Sequence, residues 1–443
     1  MLIYGPMSFI CPLFLALLFL ATNLWAEPLS LREGLKIVTD DSRIIRIRQQ
    51  EERASEMDTY IARARLFPSV NAGYVQSHLD QQPGMRIGPL SANTAERDSY
   101  SYNVSIQQIL WDFKGVASLY QSSRMLLDAK RLDTRRTRNG VALEFTLLYF
   151  NLLESERLIE VAQKERETLQ SHLAIARELF SQGVITRNDL LQAEVKLSDA
   201  DQKLITAKNV RRIAGARLNN LLTRPLTTPV EVAEVEGIRT NTTPVETAWE
   251  MGERERPELQ IADATIKAID FEEKSVRSEY LPRLLARGGY DYTKNKFQIH
   301  EEYWSINLLA SINLFSGGST NAQVAKLEAT KARLRIEKTK LTEDVRLEIE
   351  KYYLDLINSL ERISVTKGAT AQAEENLRIT RIKYTEGVGL ATDVTDAITL
   401  LTLAQTNYYR SLYDYYRSEA GYVYSMGKDL KDYYSSGQRQ VEQ

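Results

Sequence analysis

Two hydrophobic periods run along this chain, and each occurs twice. In the first half Val141, Phe145, Leu148, Leu152, Ser155, Ile159, Ala162, Arg166, Leu169, Leu173, Ala176 and Phe180 follow one another at alternating spacings of 4 and 3. In the second half Val345, Ile349, Tyr352, Leu356, Ser359, Ile363, Thr366, Thr370, Ala373, Leu377, Thr380 and Tyr384 do the same. A period of about 3.5 residues held over so many turns marks a coiled-coil seam. Glu154 should fall outside that seam. A returning stretch, Leu190, Ala193, Leu197, Ala200, Leu204, Ala207, Arg211, Ala214, Leu218 and Leu221, carries the same rhythm. No proline interrupts 114–181, so this helix should be roughly 100 Å long at 1.5 Å per residue. Rods of that length do not fit inside a compact domain. The pattern predicts long antiparallel helical hairpins that project from the rest.

The second period is two. In 304–314 Trp304, Ile306, Leu308, Ala310, Ile312 and Leu314 alternate with Ser305, Asn307, Leu309, Ser311 and Asn313. In 100–107 Tyr100, Tyr102, Val104 and Ile106 alternate with Ser101, Asn103, Ser105 and Gln107. Weaker candidates, 69–76 and 284–293, follow Pro68 and Pro282 and are rich in Gly and Tyr. A half-buried strand of a soluble sheet alternates in the same way. Aromatic strand ends (Trp304, Trp111, Tyr100, Phe315) favour strands with lipid on one face and water on the other. Four strands cannot close a membrane barrel, because the smallest have about eight. An unclosed edge in lipid leaves backbone groups unsatisfied. Several chains must therefore share one barrel.

Both periods belong to an internal duplication. FSQGVITRNDLLQA from Phe180 aligns without a gap on YTEGVGLATDVTDA from Tyr384: Gly183 plus 204 is Gly387, and Asp189 plus 204 is Asp393. Pro68 and Pro282 pair at a shift of 214, so the first half carries 10 extra residues before Leu110 (214 minus 204). That excess is expected in one loop. The expected division is a first repeat over 27–222, a Pro- and Thr-rich connecting segment over 223–245, a second repeat over 246–427 and a polar tail over 428–443. Residues 1–26 read as an export signal with an apolar run at 7–21, since about 15 residues are too few for a membrane span. No Lys or Arg precedes that run, which leaves an uncleaved anchor as the alternative.

Composition removes most catalytic readings. The 57 Lys and Arg balance 59 Asp and Glu at a net charge of -2, so nothing marks nucleic acid as a partner. The single cysteine, Cys11, lies in the leader, and the three histidines are scattered. Disulfides, thiolate metal sites and cysteine nucleophiles are thereby excluded from the mature chain. No nucleophile elbow or phosphate loop is present. The expectation is no enzyme, no metal and no cofactor. The basic run KRLDTRRTR (130–138) reads as the solvated face of a long helix, and His78 and His300 as ordinary loop residues.

With the duplication in view, the chain resembles the TolC family of outer-membrane efflux proteins. The carriers are LSLREGL (29–35), ARLFPSVNAGY (64–74), QILWDFKG (108–115), RERPELQIA (254–262), EYLPRLLARGGY (279–290), INLFSGG (312–318) and the two hairpin turns with Gly183 and Gly387. The resemblance implies a fold that is mainly α with membrane β: long coiled-coil hairpins plus two β-hairpins, four strands per chain, in a shared trimeric 12-stranded barrel. It implies an exit duct in the outer membrane that extends into the periplasm of a Gram-negative cell. Its implied partners are two further copies, outer-membrane lipid, a periplasmic adaptor (membrane fusion) protein, and an inner-membrane pump or ABC transporter. Such ducts serve tripartite efflux or type I secretion as passive conduits gated at the helical tips. Asp393 and Asp396 match two aspartates that form rings at the constriction; a helix-capping role for Asp393 is the plainer alternative. Tyr384 and Asp189 match positions that hydrogen-bond between neighbouring hairpins. Gly389 stands where similar channels often have Arg, so the closing network should lack a salt bridge. The competing reading is a periplasmic coiled-coil adaptor or structural protein with no barrel.

Overall fold

Ser30 caps the first helix: its hydroxyl accepts from the Glu33 amide at 3.2 Å, and Glu33 reaches back to the Ser30 amide at 3.3 Å. This capping box begins α1 (Leu31–Asp41), which is followed by α2 (Arg43–Ala64) and the strand β1 (Ser69–His78). Next come a short hairpin, β2 (Gly84–Ile87) and β3 (Leu90–Asn93), and then β4 (Asp98–Trp111). The long helix α3 (Gly115–Ser181) and its return α4 (Arg187–Leu221) close the first half. The second half has α5 (Val245–Glu255), α6 (Pro257–Arg277), β5 (Arg283–Thr293), β6 (Glu302–Ser311), α7 (Ser319–Thr385), α8 (Ala391–Ser425) and α9 (Leu430–Ser436). This is a computed structural model, and it describes residues 28–235, 237 and 243–436. The expected leader at 1–26, part of the connecting segment and the end of the tail lie outside the described residues.

The long helices match in length: α3 and α7 have 67 residues each, and α4 and α8 have 35 each. The seam positions are enclosed as the period requires, with Phe145, Leu152 and Ile349 all fully buried. One expectation fails. Glu154 is not outside the packing, because α8 covers that side of α3 and the guanidinium of Arg417 donates to Glu154 at 2.6 Å. Arg417 also holds Asp414 at 2.6 Å. Helix α3 therefore has two packed sides, whereas the heptad rule describes only one.

The main core lies at mid-height, where α1, α5 and α9 wrap the long helices. Gly34 on α1 lets the backbone sit on Phe145, since a Cβ there would stand 2.0 Å from the ring's Cζ. Gly252 on α5 faces Ile349 in the same way, at 2.6 Å. The phenol of Tyr149 donates to the Leu29 carbonyl at 3.0 Å, beside the bridge that pairs Leu29 with Val232. The basic run on α3 is held against α2: Lys130 pairs with Glu51 at 3.2 Å and Arg48 with Asp133 at 3.7 Å.

Four strands form one antiparallel sheet in the order β1-β4-β5-β6. The sequence reading is corrected in two places. Strand β6 stops at Ser311 rather than Leu314, because the Asn313 carboxamide accepts from the Phe315 amide at 3.2 Å and turns the chain. The extra residues of the first half include a second, two-stranded sheet, β2–β3. The alternation Met85, Ile87 then Leu90, Ala92 about a Gly88-Pro89 turn was its signal.

Candidate functional site

Strand register puts one apolar and one polar face on the main sheet. Val70 lies opposite Ile106, Ile106 opposite Gly288, and Gly288 opposite Ile306. Val104, Ala286 and Leu308 occupy that same face, because successive side chains alternate. The opposite face carries Asn71, Asn103, Arg287, Asp291 and Asn307 at cross-strand positions. Toward the end where β1 leads into the β2–β3 hairpin, a line of rings crosses all four strands. Tyr74 lies 6.3 Å from Tyr100, Tyr100 lies 5.9 Å from Tyr292, and Tyr292 lies 4.8 Å from Tyr102. Tyr102 then approaches Tyr290 at 6.2 Å, and Tyr290 approaches Trp304 at 5.0 Å. A row of amphipathic rings bordering an apolar band is what a bilayer interface selects. Among the described residues, strands β1 and β6 have no partner on their outer edges. A coiled-coil protein lacking a barrel has no use for such a sheet.

The other end of the molecule holds the two helical turns. Gly183 and Gly387 have φ of +76° and +73°, a left-handed conformation that costs a glycine nothing. In each turn the next amide bonds back across the helix end, Val184 to the Leu179 carbonyl at 2.9 Å and Val388 to the Lys383 carbonyl at 3.0 Å. Both are Schellman ends. Helix α4 then begins with a complete capping box, in which Asp189 accepts from the Thr186 amide at 3.0 Å and Thr186 accepts from the Asp189 amide at 3.3 Å. At the duplicated position Leu390 replaces Thr186, so half the box survives: Asp393 accepts from the Leu390 amide at 3.4 Å. Asp396 carries no such cap bond. Both Asp393 and Asp396 are exposed, while Val394, Ala397 and Ile398 face inward.

Tyr384 lies between the hairpins, packed with Leu169, Ala200, Val394 and Ile398. Its ring centre is 5.0 Å from that of His172. Its hydroxyl is enclosed and has no hydrogen-bond partner among the described residues, and the same holds for His172 Nε2. Burial raises the Tyr384 pKa, helped by the negative charge of Asp189, so the phenol stays protonated. Burial also lowers the His172 pKa, helped by the positive charge of Arg381. Within one chain the carboxylate of Asp189 is held by its own helix start, not by Tyr384. Gly389 has a steric reason: a Cβ there would press on the Tyr384 amide at 3.0 Å and the Lys383 carbonyl carbon at 3.1 Å. His172 escaped sequence reasoning because it sits one position before the seam residue Leu173. No group of three or more potential metal ligands occurs among the described residues. No described helix is long and apolar enough to cross a membrane.

Comparisons with known proteins agree with this anatomy. The chain is 25% identical over 411 residues to the alkaline protease secretion protein AprF of Pseudomonas aeruginosa, covering 88% of this chain and 82% of that protein. It is 22% identical over 383 residues to the proteases secretion protein PrtF of Dickeya chrysanthemi, covering 83% and 82%. The fold superposes on the CmeC outer membrane channel of Campylobacter jejuni with a TM-score of 0.79 at 14% identity, over 90% of this chain and 85% of that one. The family described as outer membrane efflux protein matches residues 40–224 and 252–427. Those two matched stretches each run from the helices before a β-hairpin to the end of a long helical return, and on that ground the chain belongs to the outer membrane efflux protein family.

Proposed function

We propose that three copies of this chain close one 12-stranded barrel, three times the four strands of the main sheet, above a tunnel built from their helical hairpins. The protein is an outer-membrane exit duct reaching into the periplasm. The observation that carries the trimer is the pair of unpaired edges on β1 and β6, which lipid cannot satisfy. The apolar face with Ile306 and Leu308 meets lipid, and the face with Asn307 lines water. A duplicated unit over 27–222 and 246–427 is supported by the matching contacts of Gly34 on Phe145 and Gly252 on Ile349.

At the tips, Asp393 and Asp396 point away from the inter-hairpin packing and form two acidic rings about the threefold axis. Asp393 combines this with capping α8. Tyr384 holds the two hairpins together with His172, and Asp189 stabilises the start of α4 beside it. The polar groups left unsatisfied in this packing, each costing about 1–3 kcal/mol, make the closed tip easy to loosen. Opening falls to a periplasmic adaptor engaged with an inner-membrane pump or ABC transporter, because the duct has no energy source of its own. The names of AprF and PrtF make secreted polypeptides the first cargo class to test.

Purified protein should run as a heat-modifiable trimer and conduct ions in planar bilayers. A soluble monomer without conductance would overturn the reading. For cargo, the gene should restore protease secretion to a Dickeya chrysanthemi strain lacking PrtF; failure with normal trimer levels would overturn the polypeptide assignment alone.

A further inference from the structure

The β2–β3 hairpin is amphipathic, and among the described residues no third strand joins it. Met85 lies opposite Ala92 and Ile87 opposite Leu90, so these four share one face. Arg86, opposite Ser91, lies on the other. Every residue of both strands is exposed, Ile87 by 67% and Leu90 by 74%. A two-stranded hairpin with four cross-strand pairs is marginal in water, and an uncovered apolar face marks a contact surface.

Topology says what stands beside it. Strand β1 runs toward the hairpin and β6 runs back from the same end. When one copy's β1 pairs antiparallel with the next copy's β6, the residues after β1 adjoin the residues before that β6. The latter are the β5–β6 loop, 294–301. Its base is tied within the chain, where the Asn295 side chain donates to the Thr94 carbonyl at 3.0 Å and the Glu301 carboxylate accepts from the Asn295 amide at 2.9 Å. At its crest Ile299 is 93% exposed. Lipid is a poor alternative occupant. The hairpin lies beyond the aromatic line, and the polar contact of His78 Nδ1 with the Asp98 carboxylate at 2.7 Å separates it from the apolar band.

We propose that the apolar face of the β2–β3 hairpin seats on the Ile299 loop of the neighbouring copy and seals the seam at the outer rim of the barrel. This rests on the trimeric duct reading. The test is cysteine cross-linking in the full-length protein with Cys11→Ser as the thiol-free background. Ile87→Cys combined with Ile299→Cys should yield covalent dimers and trimers on denaturing gels after oxidation, and neither single variant should. Arg86→Cys combined with Ile299→Cys, on the opposite face, should cross-link several-fold more slowly. A heat-modifiable trimer without cross-links would overturn the seat and leave the duct standing. Self-cross-linking of Ile87→Cys alone would instead show the hairpins meeting over the mouth. Quenching of a label at Ile87→Cys by brominated lipid would place the face in the bilayer. Either result overturns the proposal. A wild-type protein that never forms a trimer would overturn it together with the duct reading.

Discussion

The imidazole of His172 and the phenol of Tyr384 lie against each other across the two helical hairpins, ring centres 5.0 Å apart and planes tilted by 48°. This contact joins α3 to α7 toward the end of the molecule where both helical hairpins reverse. Among the described residues neither His172 Nε2 nor the Tyr384 hydroxyl has a hydrogen-bond partner, so the contact tolerates no added charge.

Acid should weaken that contact. The His172 pKa is lowered by burial and by Arg381, so the unfolded or opened state binds a proton first as pH falls. The stability is present above the ordinary histidine value of about 6.5 and is lost as pH drops below it. Thermal unfolding and closed-state conductance measured across that range should show the loss in wild type. His172→Phe keeps a ring against Tyr384 and should flatten the dependence. An unchanged pH profile in that variant would assign the effect to other groups.

The membrane-facing side of the sheet makes a second prediction. Ile306→Arg or Leu308→Arg should cost roughly 2–4 kcal/mol per chain near the bilayer midplane. Asn307→Arg, on the polar face, should assemble normally. Trimer yield after refolding into lipid bilayers compares the three; a loss confined to Asn307→Arg would mean the faces are assigned the wrong way round, and equal yields would mean that neither face meets lipid.

Two neighbouring residues of α3 should both matter, for different reasons. Leu152→Asp places a charge in a fully buried position. Glu154→Lys removes one of two carboxylates that hold Arg417 and sets like charges together, a loss of roughly 1.5–3 kcal/mol. Chemical denaturation would reveal a neutral Glu154→Lys, in which case Asp414 alone suffices for Arg417.

Gly34 should resist even the smallest side chain. Gly34→Ala drives a methyl into Phe145 and should destabilise by about 1–3 kcal/mol. Adding Phe145→Leu should recover part of that loss, and a double-mutant cycle reads the coupling. Simple additivity would show that the close approach is not the cause.

The two acidic rings proposed at Asp393 and Asp396 predict cation preference and block by multivalent cations from the periplasmic side. Asp393→Asn with Asp396→Asn should weaken both in planar-bilayer recordings without changing trimer yield. Asp393→Asn alone should also loosen the start of α8, because the Leu390 amide keeps only a neutral acceptor. Block and selectivity equal to wild type in the double variant would place the constriction elsewhere.

The sequence by itself determined the long helices, the four main strands and the duplication. A seam from Val141 to Ala176 and an alternation from Tyr100 to Gln107 are local periodicities, and they imply one geometry each. It also determined the turn glycines, since Gly183 and Gly387 mark the break in both seams. Tertiary structure alone decided which further faces of α3 are covered. Glu154 meets Arg417 across 263 positions, a distance no periodic pattern encodes. It likewise decided that Phe145 sits on Gly34, that His172 faces Tyr384, and that Gly389 is crowded by the end of α7. These are close approaches between elements whose docking depends on the sum of many side-chain volumes. The β2–β3 hairpin falls between the two cases: its alternation was legible, but four-residue strands repeat too few times to stand out from a loop. A period must recur to be recognised, and a contact between distant segments occurs once.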